Sequence, residues 1–222
     1  MSAEPVSRRA RPAKAPLSRD AIIEAGLRIL DRDGLEALTM RRVAQELDTG
    51  AASLYVYVKD RDDLMAAMLD EALGRVGFTA EGTWQERLRA LVDSATEEMS
   101  RHEGLALVAL GSIPTGANAL LVLDRMLALL KEGGLDDTTA TWAVDLIYLH
   151  ITAGGAEQSA YNTKGMEQNA HIAEVDRHYA ALPADRYPMI TSMREELLSG
   201  GDRERWGLQV LINGILNTPV HQ

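Results

Sequence analysis

Along most of this chain apolar residues return three or four positions apart, the period of an α-helix. The alternation of a half-buried strand is nearly absent apart from the run YVYV at 55–58. This pattern confines the chain to an all-α fold in which each amphipathic helix hides one face against a neighbour. Segment 18–31 carries Ile22, Ile23, Ala25, Gly26, Leu27, Ile29 and Leu30 after a capping Ser18 and stops at Gly34. Segment 61–76 carries Leu64, Met68, Leu69 and Ala72, and segment 83–101 carries Leu88, Leu91, Val92, Ala95 and Met99. A shorter apolar piece, 102–111, is stopped by Pro114. Segment 115–132 is apolar almost all round, which predicts a central, enclosed helix. A long helix is predicted over 136–162 despite Gly154 and Gly155, which cost about 1 kcal/mol each there relative to Ala. Close approach of another helix, or a bend beside a ligand, is the physical reason to keep them. Further helices are predicted at 187–199 and 203–217.

The segment 39–61, TMRRVAQELDTGAASLYVYVKDR, is the most specific stretch. Thr39 caps a helix over 40–47 whose stripe is Met40, Val43, Ala44 and Leu47. Asp48, Thr49 and Gly50 then break the pattern in a sharp turn. A second short helix is predicted over 51–58, with Leu54 and Val58 inward and Ala51, Ala52, Ser53, Tyr55 and Tyr57 outward. Small residues let a backbone approach DNA closely, and tyrosine hydroxyls reach phosphates or base edges. The ordinary alternative for Tyr55 and Tyr57 is that they are core or dimer aromatics.

From residue 17 to about 76 the chain resembles the DNA-binding domain of the TetR (tetracycline repressor) family. The resemblance rests on AIIEAGLRILDRDGLEALTMRRVAQEL, then LYVYVKDRDDL, then a long connecting helix, in that order. It implies a DNA-binding surface made of Thr39, Arg41, Thr49, Gly50, Ala51, Ala52, Ser53, Tyr55, Val56, Tyr57 and Lys59. Arg41, Tyr55 and Lys59 would hold the DNA backbone, and Ala51, Ala52, Ser53, Val56 and Tyr57 would face base edges or thymine methyls. The chain departs from the family at Asp48, where Gly is frequent, which places a carboxylate near the phosphates. The implied layout is a basic arm (1–17), a three-helix helix-turn-helix domain (18–60) and a C-terminal helical bundle that dimerises and binds an effector (61–222, with 61–76 connecting).

Charge fits this division. The chain carries a formal net charge of −10, but residues 1–61 hold 11 Lys/Arg against 9 Asp/Glu, while the remainder holds 12 against 24. Only the N-terminal quarter suits DNA. Arg8, Arg9, Arg11 and Lys14 form an arm that either follows phosphates or is a solvated tail. No apolar run reaches the length of a membrane span or of a secretory signal, so a cytoplasmic protein with no membrane partner is expected. With no cysteine there is no disulfide or thiolate metal site.

In the C-terminal part, polar or bulky residues on apolar helices suggest a small-molecule pocket: Met99, His102, Met126, Trp142, Asp145, Tyr148 and His150. Each taken singly also reads as an ordinary core or surface residue. The acidic excess favours a mostly apolar effector that is neutral or cationic. Leu208, Leu211, Ile212 and Ile215 form an i, i+3, i+4, i+7 stripe that serves either as a dimer interface, with Gly154 on the long helix, or as a core face; the two-fold symmetry of an operator favours the interface. Glu167, His171, Glu174 and His178 share a helix face that suits either a divalent metal or a solvated rim of ion pairs. No enzyme signature is present, and no cofactor is expected. The sequence therefore points to a homodimeric, ligand-released repressor on a near-palindromic operator. The rival readings are a helical ligand-binding or enzyme domain without specific DNA binding, and a non-inducible architectural DNA-binding protein.

Overall fold

The computed structural model describes residues 16–102, 104–111, 113–199 and 203–220, and the side chains of 163–169 fall outside that description. Arg8, Arg9, Arg11 and Lys14 lie outside the described residues. Among those described, regular structure is entirely helical: α1 Arg19–Asp33, α2 Met40–Glu46, α3 Ala51–Leu54, α4 Arg61–Leu73, α5 Trp84–Ser100, α6 Leu105–Leu110, α7 Ala117–Glu132, α8 Asp137–Ala180, α9 Pro188–Ser192, α10 Arg194–Leu198 and α11 Arg203–Asn217, with a 3₁₀ turn at Leu35–Ala37. None of these helices is long and apolar enough to cross a membrane.

Side chains fix the helix starts. Ser18 accepts from Ala21 N–H at 3.1 Å, Thr39 from Arg42 N–H at 3.2 Å, Asp60 from Asp63 N–H at 2.8 Å and Asp136 from Thr139 N–H at 3.0 Å. Thr83 and Glu86 cap each other reciprocally at the start of α5. Each such cap contributes about 1 kcal/mol.

The first three helices close over α4 through Ile22, Leu30, Leu54, Leu64 and Met68, all fully buried. The lever α4 then leans on α7. Asp70 on α4 accepts the Ala119 N–H at 2.9 Å, and the Asn118 amide donates to the Asp70 carbonyl at 3.0 Å. The first turn of α7 has no cap from its own Gly116. A Cβ on Gly116 would stand 2.1 Å from Asp70 Oδ1, so glycine is what admits the carboxylate. Gly116→Ala is therefore expected to expel Asp70 and to cost about 1–2 kcal/mol, the worth of a lost cap. A urea midpoint equal to that of the unmodified protein would show that this contact does not hold α4 to α7.

Three sequence expectations change. The helix α7 is not enclosed: it buries Ala119, Val122, Met126 and Leu130, while Leu120 and Leu121 are 52% and 44% exposed, with no described element over its other side. The helix α8 passes straight through Gly154-Gly155 and continues to Ala180, spanning about 66 Å at 1.5 Å per residue. Close approach of α5 is why the glycines are there: a Cβ on Gly155 would meet Met99 Cβ at 2.9 Å, and one on Gly154 would meet Thr96 Cγ2 at 3.2 Å. The helix predicted at 187–199 is two short ones that meet at Met193, where ψ is +24°.

The stripe offered as a subunit interface or a core face serves within the single chain largely as a core face. Leu208, Ile212 and Ile215 are buried in the chain's own core, Leu211 is half-buried beside them, and α11 packs on α8 of the same chain. Gly154 likewise faces Thr96 of its own subunit. An amphipathic helix needs its apolar stripe for its nearest neighbour first, and here that neighbour is intramolecular.

Candidate nucleic-acid interface and effector grooves

The helix-turn-helix is built as the sequence requires, with two local differences. After α2, Asp48 takes the left-handed conformation with φ of +49°, whereas Gly50 has an ordinary φ of −80°. The turn thus places its strained residue at Asp48. Nothing lies within 4 Å of a Cβ built on Gly50, which leaves its backbone open on the surface. Asp48→Gly is expected to raise stability by about 1 kcal/mol by removing that strain, and to tighten binding to all duplexes alike by removing a carboxylate. A lower melting temperature, or a gain confined to one DNA sequence, would contradict this.

The second difference is the length of the recognition helix. It ends after one turn, at Leu54 rather than Val58, and Tyr55–Tyr57 form a turn in which the N–H groups of Tyr57 and Val58 both donate to the Leu54 carbonyl, at 2.9 and 3.0 Å. Tyrosine and valine are weak helix formers, while buried Leu54 and Val58 pin both ends. Between the pins the side chains face out: Tyr55 is 55% exposed, Val56 81% and Tyr57 38%. The two tyrosines are not core residues. Thr39, Arg41, Gly50, Ala52, Ser53 and Lys59 are exposed as well, and Thr49 and Ala51 are half-buried.

Ion pairing selects which cations remain for a polyanion. Arg32 Nη2 lies 3.0 Å from both Asp33 and Glu46, Arg42 Nη2 lies 3.0 Å from Asp33, and Arg28 approaches Glu46 at 3.9 Å. The hydrogen bond from Arg32, then that from Arg42, holds the Asp33 carboxyl below its usual range, and Arg32 does the same for Glu46. Depressed carboxyls keep these pairs intact at neutral pH and release them only as pH falls through the lowered values. Arg61 is engaged differently, donating to the carbonyls of Leu38 at 2.6 Å and Leu35 at 2.9 Å, which staples the start of α4 to the loop before α2. Among the described ion pairs none uses Arg41 or Lys59; Lys59 follows the recognition turn in sequence, and Arg41 opens α2, which packs on α3. The fork formed by Arg61 was not legible in the sequence, because its acceptors are backbone groups more than 20 residues away.

The seven residues suggested for a small-molecule pocket do not converge. Met99 and Met126 are fully buried core residues. His102 Nδ1 sits 2.9 Å from Asp31 of α1, joining the bundle to the DNA-binding helices. Trp142 is 62% exposed in an apolar groove of about 580 Å³ between α8 and α11, with Leu146, Val210, Leu211 and Gly214. His150 lies in a separate polar groove of about 560 Å³ with Arg89, Glu97, Gly154 and Glu204. Among the grooves described, Asp145 and Tyr148 share one of about 330 Å³ lined also by Leu110, Ile113, Leu123 and Val144. Burial pushes the Tyr148 phenol up to about 12, so it stays a neutral donor, and its bond to the Ala109 carbonyl is long at 3.5 Å. A ligand acceptor would compete readily for it. His171, Glu174 and His178 are exposed on α8, the side chain of Glu167 lies outside the described residues, and no group of three metal-binding side chains occurs among those described.

Comparison with known proteins places both halves of this geometry. The family model described as "Bacterial regulatory proteins, tetR family" matches residues 22–68, and "Tetracyclin repressor-like, C-terminal domain" matches 77–218. The HTH-type transcriptional repressor DrrR1 of Streptomyces coeruleorubidus is 30% identical over 219 residues, covering 92% of this chain and 80% of that protein. The class D tetracycline repressor protein of Escherichia coli is 28% identical over 207 residues, covering 90% and 89%. Among solved structures, the TetR family protein ActR of Streptomyces coelicolor in complex with actinorhodin superposes with a TM-score of 0.80 at 34% identity, covering 91% of this chain and 96% of that one.

Proposed function

Because the chain belongs to the TetR family of bacterial transcriptional regulators, we propose that it acts as a homodimer which holds a near-palindromic operator and is released from it by a mostly apolar small molecule. The observation that carries this reading is the recognition turn: two buried anchors present three consecutive large side chains to solvent, with the exposed Lys59 next in sequence and the exposed Arg41 at the start of the supporting helix α2. Similarity to ActR, solved with actinorhodin, supports an effector site in the C-terminal bundle. We place that site in the groove holding Asp145 and Tyr148, where apolar walls meet one carboxylate and one phenol. The carboxylate favours a neutral or cationic effector.

The dimer face we assign is the apolar groove lined by Trp142 and Leu146 of α8 and Val210 and Gly214 of α11, all exposed on the single chain, together with Leu211 and Ile215 of the stripe. Their apolar groove is large, and α8 and α11 run side by side beneath it.

Release is a linkage effect: a ligand that binds one conformation better lowers operator affinity by its differential affinity, and operator lowers ligand affinity by the same factor. The test titrates actinorhodin, and separately the lipophilic cation tetraphenylphosphonium, into the protein on a duplex selected from random sequence. At least one should release DNA, and Tyr148→Phe or Asp145→Asn should weaken that release while operator affinity without ligand stays unchanged. A probe that binds free and DNA-bound protein equally well is not an effector. Release unaffected by either substitution would remove this groove from the account.

A further inference from the structure

The DNA-binding helices bury their large apolar side chains almost completely. Among the described residues up to 76, the exposed large hydrophobics are Tyr55, Val56 and Tyr57, three in a row on the recognition turn. Val56 is the extreme of the three, at 81% exposed. It contributes nothing to the core, because Leu54 and Val58 on either side are at 0% and 1% and already anchor the segment.

The same segment lacks what reads most bases. From Thr49 to Tyr57 the sequence TGAASLYVY has no Arg, Lys, Asn, Gln, Asp or Glu. Two-point recognition of guanine needs Arg or Lys on O6 and N7, that of adenine needs Asn or Gln on N6 and N7, and cytosine is read by a carboxylate. None of these is available from the recognition helix or its turn. The remaining distinctive group on the major-groove edge is the thymine 5-methyl, an apolar knob that suits an apolar side chain. Exposed Ala52 and Ser53 beside Val56 are short enough to let the backbone come close.

We infer that the recognition surface reads thymine methyl groups and that Val56 is its specificity-determining side chain. This deepens the operator-binding reading and rests on it. Hydrogen bonds from Ser53 and the tyrosine hydroxyls, which suit several bases or phosphates, position the turn, and the isopropyl group of Val56 decides which base pair is accepted.

Selection of duplexes from a random pool, followed by replacement of each recurrent thymine with deoxyuridine, tests the inference, since uracil keeps the pairing and loses only the methyl. One thymine in each half-site should prove sensitive. Its replacement should weaken binding about fourfold per half-site, the effect of one buried methyl group, and so on the order of tenfold or more when both half-sites are changed. Val56→Ala should lose a similar factor on the thymine duplex and become insensitive to the change to uracil. Tyr55→Ala should bind more weakly yet keep that sensitivity. Uracil duplexes bound as tightly as thymine duplexes would overturn the inference while leaving operator binding intact, as would Val56→Ala retaining full sensitivity. Selection that yields no recurrent sequence would overturn the operator reading itself.

Discussion

Val210→Glu is expected to turn the dimer into a folded monomer and to weaken operator binding by about 10²- to 10⁴-fold, the factor that separates one-handed from two-handed attachment. Val210 is 48% exposed on the chain and lines the apolar groove with Trp142 and Leu146. A glutamate there stays hydrated in the monomer, so the helical signal and thermal unfolding should change little. In the dimer the same carboxylate would be buried without a partner. Ile212→Glu makes the contrast. Only 2% exposed, Ile212 belongs to the core, and a charge there should unfold the C-terminal bundle at a cost of several kcal/mol instead of separating intact subunits. Sedimentation together with circular dichroism reads both. A Val210→Glu protein that remains dimeric would remove the assigned face, and a folded, monomeric Ile212→Glu protein would return the interface to the stripe suggested by the sequence.

The second large effect concerns DNA contacts. Arg41→Ala, Tyr55→Ala and Lys59→Ala all remove contacts to the DNA backbone, so each should weaken the selected duplex and random duplexes alike, and with both half-sites affected the loss is multiplied. All three side chains are exposed, so the fold should survive. The two cationic residues should in addition lower the salt slope by about one unit per half-site, whereas loss of the neutral Tyr55 should leave the slope unchanged. A loss confined to the selected duplex would show that the side chain reads bases instead, and unchanged affinity in all three would remove the recognition turn from the interface.

What the sequence revealed was what neighbouring residues decide. Ser18 and Thr39 cap the helices they precede because the acceptor and the donor stand three residues apart, and the inward placing of Leu54 and Val58 follows from helical spacing alone. Features set by distant partners were not legible. A stripe such as Leu208, Leu211, Ile212 and Ile215 looks the same whether it meets another subunit or α8 of its own chain, so periodicity alone does not choose the partner. Helical spacing carries α8 through Gly154-Gly155, and of the two reasons to keep these glycines the close approach of another helix, here with Met99 and Thr96, is the one found; the continuation of α8 to Ala180 was not legible. Tyrosine and valine in YVYV fit the face of a helix by spacing, but their propensity ends α3 at Leu54. Residue type and helical spacing do not decide which groove a side chain enters: Trp142, Asp145 and Tyr148 follow one another three positions apart on α8, yet Trp142 lines a different groove from the other two. The contact of Asp70 with the start of α7 joins residues 49 apart, beyond the reach of any local spacing.

The measurement that bears most directly on the central claim is the mass of the protein–DNA complex by sedimentation, combined with a footprint on the selected duplex. Two chains per duplex are expected, with two protected half-sites whose centres lie about one helical turn apart, roughly 34–36 Å. A single chain bound with full affinity to one unrepeated site would contradict it.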